Sequence, residues 1–241
     1  MKIISLVPSI TELLFDLGLK NQIIGRTKFC IHPKDEVHEI PQLGGTKNLH
    51  IDKIIQANAD VIIANKEENL KSEVEHLQQH TEVMITDVEN LEQNNQMILD
   101  IGKKTKTEEK AVKIVKEIQH EFFKLQNFTQ HPKVLYLIWK NPYMSVGKST
   151  FIDDMLQHSG FDNVCKHLER YPQITENDNL TPDFVFLSSE PYPFSPKHIP
   201  EVQNSFPNAK YILVDGEMFS WYGSRMRLAP KYFLNLRAQI L

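Results

Sequence analysis

The spacing of apolar residues changes from that of a strand to that of a helix within the first segment of the chain. The run that begins at Ile3 is almost continuously apolar, and apolar residues then recur at helical spacing up to Gly18. Pro8 predicts a tight turn between the two elements, and Ser9 and Glu12 have the spacing of a capping box. A helix that starts directly after a strand points unpaired N–H groups beyond the strand end, where a polar or anionic ligand group can bind.

The alternation of strand and helix continues in two series, with one long helix between them. Val61 to Ala64 is an apolar run of the kind found in buried parallel strands. Apolar residues recur at helical spacing from Thr107 to Phe128, a second series starts at Lys133, and Tyr222 to Leu241 is the predicted closing helix. The pattern predicts an α/β fold of two Rossmann-like α/β lobes joined by one long backbone helix, with a ligand cleft between the lobes. The predicted boundaries are 1–104 for the N-terminal lobe, 105–131 for the connecting helix and 132–241 for the C-terminal lobe.

Composition and charge narrow the class of protein. The 241 residues are 41% hydrophobic and 24% charged, as in an ordinary globular protein. A net charge of −4 gives no reason to expect nucleic acid as a partner, and no apolar run is long enough to span a bilayer. The two cysteines lie far apart, and no export signal precedes the first strand. We therefore expect a cytoplasmic monomer without a disulfide framework and without membrane insertion.

Two pairs of residues have a spacing that metal ions use. His76 and His80 stand four positions apart on a predicted helix, but no glutamate follows His76 as in metalloproteases, so the sequence favours a solvated helix face. Cys30 and His32 form a thiol–imidazole pair in a long loop, and direct metal binding by this pair with a carboxylate is an open alternative. We assign no metal ligands from the sequence.

Charged and aromatic residues are concentrated in loops that follow predicted strands. Three such loops lie at residues 65–69, 188–194 and 215–225. Ligands of α/β sheets bind beyond the carboxyl ends of the strands, and small-molecule clefts combine flat apolar walls with a few polar contacts. We therefore predict a ligand site at these loops, bordered by the loop of Cys30 and His32. The ligand contacts that the loops themselves suggest are Cys30, His32, Lys66, Glu67, Glu190, Tyr192 and Tyr222.

Several segments together resemble one known family. They are ISLVPSITEL from Ile4, VIIA from Val61, the long connecting helix, SVGKS from Ser145, and WYGSRM from Trp221. In this order they are similar to the helical-backbone periplasmic-binding-protein family, which contains the vitamin B12, iron-siderophore and haem receptors, and most similar to its cobalamin-binding members. The resemblance implies a bilobed receptor that binds a small-molecule ligand between its lobes, is not an enzyme and has no covalently bound cofactor.

The resemblance also implies roles for individual residues. The chain differs from the B12 receptors in having Thr46 and Asn65 where those receptors have tryptophans, and Lys47 adds charge on the same side. We therefore predict a corrinoid, or a smaller or more highly charged metal chelate, as the ligand. By position, the resemblance places at the ligand Phe29 and His32 in the first lobe, Trp139 and Tyr171 in the second, and Asp215, Trp221 and Arg225 in the segment that contacts corrin side chains.

Receptors of this family bind an ABC permease through one acidic residue in each lobe. By resemblance, Asp52 fits the first position, and Glu176 or Asp178 fits the second. This role applies if the protein is exported to meet such a permease.

A protein of a different class is the alternative. One fold hosts several functions, and an enzyme could use the same cleft. Cys30, His32, Glu190, Asp215 and Glu217 would then supply nucleophilic or acid–base groups. No spacing among them specifies a known reaction.

Overall fold

The computed structural model describes residues 1–125, 128–175 and 178–241, which group into two compact units. The segment Tyr222–Arg225 groups with the first unit, although the residues on either side of it group with the second. The sequence-based boundaries at residues 104 and 131 stay predictions. The first unit comprises Met1–Val88, Glu92–Ile118 and Tyr222–Arg225, and the second comprises Glu89–Leu91, Gln119–Trp221 and Met226–Leu241.

The first unit contains a four-stranded sheet whose strands all run parallel. Every residue of Val61–Asn65 is buried, as its apolar run predicts. A separate hairpin pairs Gly44–Gly45 with Asn48–Leu49. In chain order the strands are β1 (Ile3–Ser5), β2 (Ile23–Arg26), β3 (Gly44–Gly45), β4 (Asn48–Leu49), β5 (Val61–Asn65) and β6 (Val83–Thr86), and the sheet order is β2-β1-β5-β6.

Helices follow the strands of this sheet, and one apolar cluster fills the space between them. Ile4 and Ile62 supply the sheet side of the cluster, and Val74 and Leu77 supply a helix side. The helices are α1 (Pro8–Asp16), α2 (Ile51–Gln56), α3 (Lys71–Gln78) and α4 (Leu91–Thr105), with short 3-10 helices at Lys20–Gln22 and Val37–Glu39.

The second unit contains a five-stranded sheet that is mostly parallel. Phe184–Ser188 is buried throughout and pairs in parallel with a strand on each side, while Met144–Ser145 pairs antiparallel. The strands are β7 (Lys133–Trp139), β8 (Met144–Ser145), β9 (Asp162–Asn163), β10 (Phe184–Ser188) and β11 (Lys210–Val214); the order is β11-β10-β7-β8, with β9 paired to β7. The helices are α5 (Glu108–Phe123), whose last residues belong here, α6 (Phe151–His158), α7 (Ile199–Ser205), α8 (Glu217–Ser220) and α9 (Ala229–Ile240). There is a 3-10 helix at Pro196–His198, and a second at Ser224–Arg227 begins in the first unit and ends in this one.

The predicted α/β class with two separate series of strands is confirmed by these sheets. The predicted helix from Thr107 to Phe128 is shorter in the structure, because α5 ends at Phe123 and a turn follows. Its apolar stripe is buried as predicted, with Ile114, Ile118 and Phe122 at 4%, 0% and 6% exposure. Helix α5 passes from the first unit to the second after Ile118.

Two predicted helix starts are wrong, and proline explains both. Helix α1 begins at Pro8 with Val7 as its N-cap and no side-chain cap, so Ser9 and Glu12 form no capping box. Proline fits the first turn of a helix because its missing N–H has no partner there. The predicted closing helix from Tyr222 begins only at Ala229, directly before Pro230. Arg225 therefore lies before α9, in the 3-10 helix Ser224–Arg227.

No helix in the described ranges is both long and apolar enough to cross a membrane.

Candidate functional site

Strands β1, β2, β5 and β6 run parallel, so their carboxyl ends lie at one edge of the sheet in the first unit. The loop after β2 places Phe29 there with 49% of its surface exposed. The Lys28 ammonium lies 5.0 Å from the centroid of the Phe29 ring. His32, in the same loop, is half-buried. Phe29 thus offers an exposed aromatic face at the edge where ligands of α/β sheets bind.

The interior of this loop is held by a buried arginine and a buried thiol. The Arg26 guanidinium donates to the carbonyl oxygens of Val37 (2.8 Å), Thr27 (3.1 Å) and Cys30 (3.1 Å). The Thr11 hydroxyl donates to the Cys30 sulfur at 3.0 Å, and burial raises the pKa of the Cys30 thiol. Cys30 has no exposed surface, so it lies inside the loop and does not face a ligand. A buried thiol with a raised pKa is also a poor nucleophile.

Two asparagine side chains hold the loop after β5. The Asn65 amide oxygen accepts hydrogen bonds from the backbone N–H groups of Glu67 (2.8 Å) and Glu68 (3.2 Å). The Asn69 amide oxygen accepts one from the Asn65 N–H at 2.9 Å, and its NH₂ group donates to the Thr46 carbonyl at 3.0 Å. Both asparagines are buried. These bonds fix the backbone from which the charged residues of the loop project.

The charged side chains of this loop have different surroundings. Lys66 is exposed and forms an ion pair with Asp87, which follows β6. Glu67 is half-buried. The Glu68 carboxylate accepts a hydrogen bond from the Tyr222 hydroxyl at 3.1 Å. Lys66 therefore lies at the surface with Asp87 as its partner, and Glu68 is paired with Tyr222.

Hydrogen bonds and one ion pair join the segment Tyr222–Arg225 to the rest of the first unit. Besides the bond to Glu68, the Gly223 N–H donates to the Asn94 amide oxygen at 2.5 Å. Tyr222 is buried, and burial raises the pKa of its hydroxyl well above the ordinary value. Tyr222 therefore acts here as a buried hydrogen-bond donor with little surface for a ligand.

The same segment also forms a buried ion pair between Arg225 and Glu12. The Arg225 Nε and Nη2 atoms donate to the two carboxylate oxygens of Glu12, both at 2.8 Å. The side chains are 6% and 17% exposed, respectively. Burial raises the pKa of the Glu12 carboxyl, and the Arg225 charge opposes that shift. The ligand contact predicted for Arg225 would compete with Glu12 for the same guanidinium edge.

In the second unit, Trp139 ends β7 and is 41% exposed. Its ring meets the Tyr192 ring edge to face, with centroids 5.8 Å apart. Tyr192 also contacts the rings of Phe194 (4.8 Å) and His198 (5.4 Å), and its backbone N–H bonds to the Ile138 carbonyl at 3.2 Å. The structure thus brings together two predicted ligand contacts, Trp139 and Tyr192, on an aromatic support beside the carboxyl end of β7.

Three carboxyl groups influence one another beyond the ends of β10 and β11. Burial raises the pKa of the Glu190 carboxyl, the Ser220 hydroxyl donates to it, and the charges of Glu217 and Asp215 raise the pKa further. The Asp215 carboxylate accepts from the Glu217 backbone N–H at 3.1 Å. Two predicted contacts, Glu190 and Asp215, therefore share one acidic neighbourhood.

Replacing Glu190 by glutamine should flatten the pH dependence of stability. Because the folded pKa of Glu190 lies above its ordinary value of 4.5, the folded protein binds more protons than the unfolded chain between the two values. This contribution favours folding below the ordinary value and is lost as pH rises through the folded pKa. We expect Glu190→Gln to be more stable than the wild type at pH 7, with the difference shrinking towards pH 4 in urea unfolding.

Glu169, an exposed residue of the same unit that pairs with Lys148, provides the control for the substitution itself. Glu169→Gln should change the stability at pH 7 by no more than about 1 kcal/mol, the upper range for an exposed ion pair. A Glu190→Gln protein that is less stable than the wild type at pH 7 would contradict the prediction. The buried carboxylate would then not be what lowers the free energy of unfolding at that pH.

The remaining predicted residues have varied positions. Tyr171 is half-buried, and Trp221 is buried with 7% exposure, which leaves little of its ring for a ligand. Asp52 is exposed in the first turn of α2, as a docking residue must be. Glu176 lies outside the described residues. The carboxylate of Asp178, its alternative, accepts hydrogen bonds from the Thr175 N–H (2.6 Å) and hydroxyl (3.0 Å).

Sequence reasoning missed the residues that support the site. Asn65 was noted only as a departure from the relatives, and Asn69, Glu68 and Glu12 received no role at the site. The one available signal was the presence of two asparagines in a loop directly after a buried strand, since asparagine side chains often bond nearby backbone groups. Nothing local marks Glu12 as the partner of a residue 213 positions away.

The two α/β units carry aromatic and charged side chains in the loops at their strand ends. Residues 3–189 match the family described as periplasmic binding protein, and the chain belongs to that family.

Two curated proteins show which members of the family are similar. The chain is 26% identical over 198 residues to the uncharacterized ABC transporter substrate-binding lipoprotein YvrC of Bacillus subtilis (strain 168), a match covering 76% of this chain and 62% of the relative. It is 23% identical over 194 residues to the vitamin B12-binding protein of Vibrio parahaemolyticus, covering 78% of this chain and 70% of the relative. The chain thus spans less than two thirds of the YvrC sequence.

A solved structure has the same fold. A possible iron-binding (periplasmic solute-binding) protein of Staphylococcus epidermidis superposes with a TM-score of 0.82, covering 99% of this chain and 98% of that one. The sequences are 23% identical, so this likeness concerns the fold alone.

Proposed function

We propose that the protein is a non-catalytic substrate-binding protein of an ABC transporter and that it binds a corrinoid or another metal-containing chelate. The observation that carries the proposal is the family match over residues 3–189. The names of the similar proteins support it, since one is a substrate-binding lipoprotein and another binds vitamin B12. The burial of Cys30 removes one of the five groups that the alternative of an enzyme would use.

The exposed aromatic rings of the two units support a flat, partly apolar ligand. Phe29 in the first unit and Trp139 in the second are 49% and 41% exposed, and each follows or ends a parallel strand at its carboxyl end. An aromatic ring exposed at a ligand-binding edge loses unfavourable contact with water when a flat macrocycle covers it. We infer that both rings contact the ligand. The predicted position of the ligand between the lobes stays a prediction.

The polar residues near these rings suit the periphery of a chelate. Lys66 and Glu67 project from a backbone fixed by Asn65, and His32 lies in the Phe29 loop. A lysine ammonium or a carboxylate can bond the amide, carboxylate or hydroxyl groups that surround a metal chelate. These residues, together with Tyr192, Glu190 and Asp215, form the proposed ligand contacts.

Titration of the purified protein with cobalamin, cobinamide, haem and a ferric chelate tests the proposal. We expect at least one of them to bind in isothermal titration calorimetry. Trp139→Ala should then weaken binding by about five- to 150-fold, because stacking of a nucleobase on an aromatic side chain contributes about 1–3 kcal/mol. Leu228→Ala is the matched control, since Leu228 is a 54% exposed apolar residue of the second unit outside the strand-end loops.

The two tryptophans, Trp139 and Trp221, give a second readout. In the Trp221→Phe variant all tryptophan emission comes from Trp139, so ligand binding should shift its emission maximum. Absence of binding by every compound in the panel would contradict the proposed ligand class. Unchanged affinity in Trp139→Ala would contradict the proposed contact.

The transporter partner follows from the family and not from a contact in the structure. We propose that an ABC permease binds the exposed Asp52 and an acidic residue of the second unit, Glu176 or Asp178. The cytoplasmic location and the monomeric state expected from the sequence stay predictions.

A further inference from the structure

Two exposed histidines near the end of α3 have rings that face each other. His76 and His80 have ring centroids 5.4 Å apart and ring planes inclined by only 28°. Both side chains are exposed. His76 lies in the last turn of α3, and His80 lies in the turn that follows the last helical residue, Gln78. The sequence favours a solvated helix face here. The structure adds that the two imidazole rings lie within 5.4 Å of each other.

We propose that His76 and His80 form a two-ligand site for a first-row divalent metal ion such as Ni²⁺, Cu²⁺ or Zn²⁺. Imidazole nitrogen is a preferred ligand of these ions. Two imidazoles that share a tetrahedral zinc ion, with Zn–N distances of about 2.0–2.1 Å, have ring centroids about 5 Å apart. The observed separation of 5.4 Å is close to this value, and the rings must turn about their Cβ–Cγ bonds until one nitrogen of each points at the ion.

The backbone that carries the two rings is already ordered for this purpose. Val74 and Leu77 anchor α3 in the core of the first unit, with 6% and 0% exposure. The Gln79 N–H bonds to the His76 carbonyl at 3.1 Å, and the His80 N–H bonds to the Leu77 carbonyl at 3.0 Å. The turn between the histidines is closed, so binding a metal ion would restrict side-chain torsions only.

The site would be open and exchangeable. Within the ranges that the structure describes, no group of three or more His, Cys, Asp or Glu side chains is arranged to hold a metal ion. Two protein ligands leave the other coordination positions of the ion to water or to a ligand of the ion, as in sites that exchange ligands. This inference does not rest on the proposed chelate ligand, and either can fail without the other.

Calorimetric titration of the full chain, without a polyhistidine tag, with NiCl₂ tests the proposal. We expect one Ni²⁺ per chain in the wild type, and His76→Gln and His80→Gln should each weaken binding by at least about tenfold, the smallest loss that even outer-shell changes produce at metal sites. Mg²⁺ should not compete, because it prefers oxygen ligands. His120→Gln is the matched control, since His120 is a single exposed histidine on α5.

The outcomes separate a shared site from weak binding to scattered histidines. Wild-type affinity in either His76→Gln or His80→Gln would overturn the proposal, and so would an equal loss of affinity in His120→Gln. Absence of Ni²⁺ binding in the wild type would overturn it as well. Far-ultraviolet circular dichroism of each variant shows that the fold is retained, as expected for substitutions at exposed positions.

Discussion

Replacing Arg225 by alanine should lower the free energy of unfolding by about 3–5 kcal/mol, the usual loss when one partner of a buried ion pair is removed. The Arg225 guanidinium is bound at two atoms by Glu12, and both side chains are largely buried. Without Arg225, the Glu12 carboxylate remains buried away from water and loses the guanidinium that neutralises its charge. It must then either become protonated or draw in water. Urea unfolding at pH 7 measures the loss.

The double variant Glu12→Met/Arg225→Met distinguishes a missing charge partner from missing contacts. Removing both charges should restore much of the stability, because replacement of a whole buried ion pair by apolar side chains of similar size is often neutral. The sequence-based hypothesis gave Arg225 to the ligand. An Arg225→Ala protein with wild-type stability and much weaker ligand affinity would support that hypothesis and contradict the structural role argued from Glu12.

Replacing Arg237 by methionine should destabilise the protein by about 3 kcal/mol or more. Arg237 lies in α9 with 8% exposure, and its guanidinium donates to three backbone carbonyls, those of Gly160 (2.7 Å), Ser159 (3.3 Å) and Gln130 (2.9 Å). A hydrogen bond to a charged group contributes about 1.5–3 kcal/mol, and these carbonyl groups would lose their charged donor. Thermal unfolding followed by circular dichroism measures the effect.

A conservative variant tests whether the shape of the guanidinium matters as well as its charge. The Arg237 guanidinium also lies 4.1 Å from the centroid of the Phe128 ring and 5.1 Å from that of the Phe161 ring. Lysine keeps the charge but lacks the planar fork that can serve several carbonyls at once. Arg237→Lys should therefore lie between the wild type and Arg237→Met. Equal stability of Arg237→Met and the wild type would contradict the proposed role.

The strands and the α/β fold class could be predicted from local patterns, because burial of a parallel strand requires a continuous apolar run. Val61–Asn65 and Phe184–Ser188 are buried throughout, and both lie where the sequence predicts strands. Helix ends were harder to predict, since Pro8 and Pro230 set starts that side-chain caps had not suggested. The long helix likewise kept its predicted apolar stripe but ended at Phe123.

In the candidate site, too, some features could be predicted from the sequence and others appear only in the structure. The sequence indicated which loops carry aromatic and charged residues, and the structure places Trp139 and Tyr192 in contact. The sequence did not indicate that Cys30 lies inside its loop or that Tyr222 is buried against Glu68. Exposure within a loop depends on which distant elements cover it, and no local pattern records that.

The sequence by itself therefore determined the α/β class, the strand-end loops and the resemblance to periplasmic binding proteins. These features depend on the spacing of apolar residues and on residue types in short segments. Only the tertiary structure decided the partners of the buried polar groups. Arg225 meets Glu12 across 213 residues, and the Tyr222 hydroxyl meets Glu68 across 154. Such partners are selected because a buried charge or hydroxyl must be paired wherever the packed chain provides a group, however distant that group is in sequence.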